Sequence, residues 1–137
     1  MIPMHERQPT PGVGAAVVDN GRLLLIRRGR GAYADYWAVP GGRQRYGETM
    51  REAAAREVRE ETGLVVDIGD VVWTGDILDD ADPPAYHYTV VDFAASLVGG
   101  TLEAGDDAAE ARWVPIAEVR GLRLTPTMHT LLVRLGL

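Results

Sequence analysis

Arg56-Glu57-Val58-Arg59-Glu60-Glu61-Thr62-Gly63 (REVREETG, residues 56–63) crowds three carboxylates into five positions ahead of a glycine. The stretch closes a segment, 48–62, that holds no Gly or Pro and is rich in Ala, Glu and Arg, which predicts a helix over those residues. Gly63 stands where a helix C-cap belongs. At about 100° per residue, Glu61 lies about 40° to one side of Glu57 and Glu60 about 60° to the other, a stripe beside the apolar face of Ala54, Ala55 and Val58. The i,i+3 and i,i+4 pairs repel by about 0.2–0.5 kcal/mol each, and the C-terminal end of a helix disfavours anions. A bound cation offsets both effects. A hard divalent ion such as Mg²⁺ or Mn²⁺ takes oxygen ligands and keeps waters that a phosphate can replace. On these three glutamates alone, the commoner arrangement is a solvated acidic face balanced by Arg51, Arg56 and Arg59.

Working outward, residues 13–18 (VGAAVV) and 22–27 (RLLLIR) flank Asp19-Asn20-Gly21, a pattern that predicts a β-hairpin. Tyr36–Val39 reads as a strand ended by Pro40-Gly41-Gly42, which is expected to open a loop. Further strand-like runs cover 64–73, 86–97 and 111–114, with acidic loops at 79–84 and 99–109. Thr125-Pro126 signals a second helix start, and Leu124, Met128, Leu131, Leu132 and Leu135 recur at helical spacing as a packing face. Mixed strands and helices give an α/β fold class. With no linker or internal repeat, residues 1–137 are expected to form a single domain, with 1–11 as a flexible N-terminal tail.

Composition narrows the chemistry. All 14 cationic side chains are arginine, so a P-loop lysine and a Schiff base are excluded. The absence of cysteine removes thiolate nucleophiles and cysteine zinc sites. A net charge of −6 opposes broad binding to extended nucleic acid. No apolar run is long enough for a membrane span or a signal peptide, so a cytoplasmic protein without a membrane partner is expected.

The wider spacing is decisive. Gly42, five residues, Glu48, seven residues and then Arg56-Glu57-Val58-Arg59-Glu60-Glu61-Thr62-Gly63-Leu64 reproduce G-x5-E-x7-R-E-U-x-E-E-x-G-U at every specified position, U being bulky and apolar. With the lead-in Trp37-Ala38-Val39-Pro40-Gly41-Gly42, the chain resembles the Nudix hydrolases over most of its length. The resemblance implies a mixed sheet sandwiched between helices, with the box as a loop–helix–loop, and hydrolysis of a nucleoside diphosphate linked to another moiety. It also implies Mg²⁺, with Mn²⁺ as a substitute, held by Glu57, Glu60, Glu61 and the carbonyl of Gly42, and Arg56 orienting the glutamates. Metal ions in such a site neutralise pyrophosphate charge and activate a water, whose proton a carboxylate removes.

In the family that base is a box glutamate or an acid from a later loop, so Glu103, Asp106, Asp107 and Glu110 are candidates here. Glu110 is the preferred one, for its place before Arg112-Trp113. Catalytic roles thus fall to Arg56, Glu57, Glu60 and Glu110. For substrate, Arg27 is expected on phosphate, and Tyr86 and Tyr88 on base or sugar, sharing one strand face with His87 on the other. Residues 86–119 resemble the small bacterial ADP-ribose pyrophosphatase-like members, although Asp79 stands where some of those carry a proline. The partner implied is a nucleotide-type small molecule, and a homodimer is common in related enzymes. The alternatives are sanitation of oxidised nucleoside triphosphates and a non-catalytic nucleotide sensor; an intact box speaks against the sensor.

Overall fold

Asn20 and Gly21 both take left-handed backbone, with φ of 51° and 73°, and turn β1 (Thr10–Asp19) back into β2 (Arg22–Arg28) as expected. The structure is a computed structural model and describes residues 7–137. Residues 1–6 of the expected tail lie outside the described residues, and Thr10 and Pro11 already belong to β1.

β1 holds the middle of a seven-stranded mixed sheet. It runs parallel to β6 (His87–Gly100) and antiparallel to the short β4 (Gly41–Arg43). β5 (Leu64–Leu78) pairs with the far edge of β6, while β2 carries β3 (Trp37–Ala38) and β7 (Ala108–Pro115). Helix α1 (Met50–Thr62) seats Ala53, Ala54 and Val58 on one face of the sheet, among Val13, Ala15, Val17 and Phe93. Helix α3 (Pro126–Leu135) seats Met128, Leu131 and Leu132 on Leu23, Leu25 and Val114. Each such Val, Leu, Met or Phe side chain stabilises by about 1.5–3 kcal/mol relative to exposure. This is the expected α/β sandwich. Among the described residues no helix is long and apolar enough to cross a membrane.

The local differences have physical causes. Helix α1 starts at Met50 rather than Glu48, because Thr49 is an N-cap whose side chain and backbone exchange hydrogen bonds with Glu52. Gly63 ends it in left-handed backbone, φ 74°, and donates its N–H to Arg59. Gly41 and Gly42 form β4 instead of a loop, since Gly41 lies so close to the carbonyl of Val13 that any Cβ would overlap it. The acidic loop predicted at 99–109 shrinks to 101–107, because Gly99 and Gly100 extend β6 and Ala108 opens β7. The one-turn helix α2 (Ile116–Val119) carries too few residues to show a period and was not expected.

Candidate active site

Arg56 organises the first layer of the site. Its Nη2 and Nε donate to the two oxygens of Glu48 at 2.6 and 2.9 Å, and Nη1 reaches Glu57 Oε1 at 2.8 Å and Glu60 Oε2 at 3.1 Å. Nη2 also donates to the carbonyl of Arg43 at 2.9 Å. The box residue Glu48 therefore sits before the helix and bridges back to it. The Arg56 hydrogen bonds pull the Glu48 carboxyl down to about 2, and the same contacts raise the Arg56 guanidinium further above its usual range.

Glu61 departs from the solvated stripe. It is 6% exposed, and its Oε1 accepts the N–H of Gly41 at 2.8 Å. Burial pushes its carboxyl up to about 8 against that single donor, with Glu57 adding to the rise. Burial likewise raises Glu57, and Arg56 opposes it. Gly42 presses against Glu57, where a Cβ would come within 2.5 Å of the carboxyl carbon. Glu57 and Glu60 thus share the Arg56 guanidinium, Glu57 also lies against Gly42, and the buried Glu61, tied to Gly41, is short of positive charge. That donor set fits a hard divalent cation. Among the described residues no three such side chains stand in ligating array, and Arg56 holds Glu57 and Glu60 by hydrogen bonds.

The loop 101–107 folds over the C-terminus of α1. Glu103 and Gly105 donate N–H groups to the carbonyls of Thr62 and Glu61 at 2.9 and 3.0 Å. Gly105 has no room for a side chain beside the Glu60 carbonyl. Asp106 follows, and its charge raises both Glu57 and Glu61. Glu110 sits elsewhere, on β7 opposite Arg27, where its Oε2 accepts from Arg112 at 2.6 and 3.0 Å; Arg112 and then Arg27 hold its carboxyl below the usual range. Arg27 is bound to Asp35 at 2.8 Å and faces Glu110 at 3.6 Å. Arg28, the neighbouring cation, is the one whose charge bears on Glu61.

Tyr86 and Tyr88 come together, ring centroids 6.0 Å apart, while His87 turns to Asp76 at 2.8 Å. Burial raises the Tyr86 phenol, and the adjacent Tyr33 phenol adds to it, which brings in a residue the sequence reading passed over. Asp92 was passed over too. It is 6% exposed in the middle of β6, and burial alone raises its carboxyl to about 6. A lone acid within the apolar run Val90–Ala95 was the available signal. Its pH dependence follows: a raised folded-state value means a stability contribution that is full below the unfolded value of about 3.8 and is lost as pH rises through about 6. Asp92→Asn is expected to raise the melting temperature at pH 8, by up to about 3 kcal/mol of stability, and to give no advantage below pH ~4. Equal melting temperatures for the two proteins at pH 8 would show that the carboxylate is well solvated.

Comparison with known proteins gives this geometry its family. The NUDIX domain profile matches residues 8–134. The chain is 35% identical over 105 residues to the ADP-ribose pyrophosphatase of Methanocaldococcus jannaschii, covering 77% of this chain and 61% of that protein. It is 49% identical over 51 residues to the oxidized purine nucleoside triphosphate hydrolase of Danio rerio, covering 37% of this chain and 33% of that protein. The chain therefore spans less than two thirds of either relative. The crystal structure of a MutT NUDIX hydrolase from Burkholderia pseudomallei superposes with a TM-score of 0.84 at 28% identity, covering 93% of this chain and 98% of that one. A match that runs from ahead of β1 into the last turn of α3, through the turn and helix that carry Glu57, Glu60 and Glu61, places this chain in the NUDIX domain family.

Proposed function

We propose that the protein hydrolyses the pyrophosphate bond of a nucleoside diphosphate joined to a second moiety, with ADP-ribose as its preferred substrate. The observation that carries this reading is the cluster around Arg56, in which Glu57 and Glu60 are oriented beside a buried Glu61 and the bare backbone of Gly41 and Gly42. The relative named ADP-ribose pyrophosphatase supports the substrate. Glu57, Glu60, Glu61 and the Gly42 carbonyl would hold Mg²⁺, or Mn²⁺ in its place. When bound, divalent ions supply charge neutralisation at the pyrophosphate and acidify water. Water oxygen then bonds to one phosphorus, the bond from that phosphorus to the bridging oxygen breaks, and AMP and ribose 5-phosphate leave.

The chain's own groups divide the remaining work. Arg28, whose charge already bears on Glu61, meets substrate phosphate. Arg27, expected in that role, is committed to Asp35 and Glu110. For the water's proton the arrangement favours Asp106 over Glu110, because Asp106 stands by the box while Glu110 is neutralised by Arg112 and Arg27. Asp106→Asn is accordingly expected to lower kcat by about 10²-fold or more without changing the rise in melting temperature that Mg²⁺ produces. Glu110→Gln is expected to stay within about threefold of wild type, since a base worth about 10²–10⁴ is not lost there. The opposite ranking would return the role to Glu110.

Sanitation of oxidised nucleoside triphosphates is the second reading, favoured by the likeness to the Danio rerio enzyme. A turnover panel separates the two: kcat/KM for ADP-ribose is expected to exceed that for 8-oxo-dGTP, and the reverse order moves the protein to the sanitation class.

A further inference from the structure

A second arginine reaches the acids that Arg56 binds, and it is held far more loosely. Arg45 lies in the loop 44–49 between β4 and α1, and its Nη2 stands 3.4 Å from Glu60 Oε1. Arg56 uses the other oxygen of Glu60, Oε2, at 3.1 Å. The Arg45 side chain is 64% exposed against 18% for Arg56, whose bonds to Glu48 and Glu57 run at 2.6–2.9 Å. An exposed pair at the longer separation contributes little to the fold and is easily exchanged for another partner.

The backbone beneath Arg45 is fixed. Its N–H donates to Glu48 Oε1 at 2.7 Å, the Glu48 N–H donates back to the Arg45 carbonyl at 3.2 Å, and Gln44 Nε2 holds the Glu48 carbonyl at 2.9 Å. Glu48 is itself gripped by Arg56. Arg45 is thus a cation on a firm base at the rim of the site, with a side chain that can change partner. The other arginines near the box are tied down: Arg27 to Asp35 and Glu110, and Arg28 through an Nε bond to the Ala32 carbonyl at 2.8 Å.

Glu60 Oε1 cannot serve a divalent cation and the Arg45 guanidinium together. Once that oxygen is taken, like charges part, and the planar fork of Arg45 matches the oxygens of a phosphate arriving beside Glu60. We propose that Arg45 is a substrate-binding residue that rests on Glu60 in the metal-free protein and transfers to a phosphate of the nucleotide when a divalent cation takes Glu60. This rests on the nucleotide-hydrolase reading above, and it deepens that reading by giving an order, cation before nucleotide, and a second phosphate contact from the box loop beside that of Arg28.

Two calorimetric titrations of the full chain test this without turnover. Mg²⁺ alone is expected to bind Arg45→Ala about two- to fivefold more tightly than wild type, the scale of an exposed ion pair removed from competition. At saturating Mg²⁺, α,β-methylene-ADP-ribose, which lacks the bridging oxygen, is expected to bind Arg45→Ala about tenfold more weakly, the scale of one charged hydrogen bond. Arg45→Lys keeps the charge without the fork and is expected to fall between the two proteins in both titrations. Arg59→Ala removes an equal charge from the position before Glu60 on α1 and is expected to leave both affinities near wild type. Opposite signs in the two titrations distinguish partner exchange from damage to the site, which would weaken both. Unchanged Mg²⁺ affinity in Arg45→Ala, unchanged analogue affinity, an equal response in Arg59→Ala, or a wild type with no affinity for the analogue overturns the assignment. The expected pair of shifts in a protein that cleaves no nucleotide of the panel upholds it and refutes the hydrolase reading instead.

Discussion

Glu61→Gln is expected to cut turnover by at least an order of magnitude while leaving the metal-free protein as stable as wild type or slightly more so. The amide has nearly the same shape, its oxygen still accepts the N–H of Gly41, and it removes a carboxylate that is buried beside Glu57. Nothing that supports the fold is lost. What disappears is a charged oxygen in the group that would hold the divalent ions, so water and phosphate are no longer held correctly. The readout that separates this from a structural role is the rise in melting temperature on adding Mg²⁺. That rise comes from binding to the folded state alone and is expected to shrink in the variant. A normal turnover together with a normal Mg²⁺-induced shift would remove Glu61 from the site.

Arg56→Ala is expected to damage both stability and activity. Three carboxylates and the Arg43 carbonyl depend on one guanidinium whose side chain is 18% exposed. Breaking a buried pair costs about 3–5 kcal/mol, and partial exposure reduces this to about 2–4 kcal/mol. Turnover is expected to fall with it, because Glu57 and Glu60 lose the donor that orients them. Arg56→Lys separates charge from geometry: a single ammonium cannot serve Glu48, Glu57, Glu60 and Arg43 together, so it is expected to recover part of the stability and little of the activity. Thermal melts and kcat for the two variants check this. An Arg56→Ala protein that melts within about 2 °C of wild type would mean that the network is screened and contributes under about 1 kcal/mol.

Much of the site lies within a few residues of itself along the chain, and that part was readable. Gly63 closes α1 in a conformation that favours glycine, and Asn20-Gly21 turns the hairpin. Each is settled by local backbone and hydrogen-bonding preference. The spacing from Gly42 to Leu64 likewise identified Arg56 and the glutamates.

Other assignments depended on register, which no local pattern contains. Glu110 and Asp106 are both acids of the later chain. The pairing of β7 with β2 sets Glu110 opposite Arg27, while the hydrogen bond from Gly105 to the end of α1 brings Asp106 to the box. Arg27 was the cation expected on phosphate, but the β2–β3 loop supplies Asp35 to it and β7 supplies Glu110, while it is the charge of Arg28 that bears on Glu61.

By itself the sequence determined the α/β class, the box and the helix that carries it, because helix period, caps and turns are properties of short segments. Only the tertiary structure decided that Glu61 is buried rather than solvated, that the charge of Asp106 bears on the box while Glu110 pairs with Arg112, and that Asp92 is buried against Gly14. Burial, and the charge a group meets there, are set by which strands lie side by side and what packs across them, and these exist only once the sheet has closed on its helices.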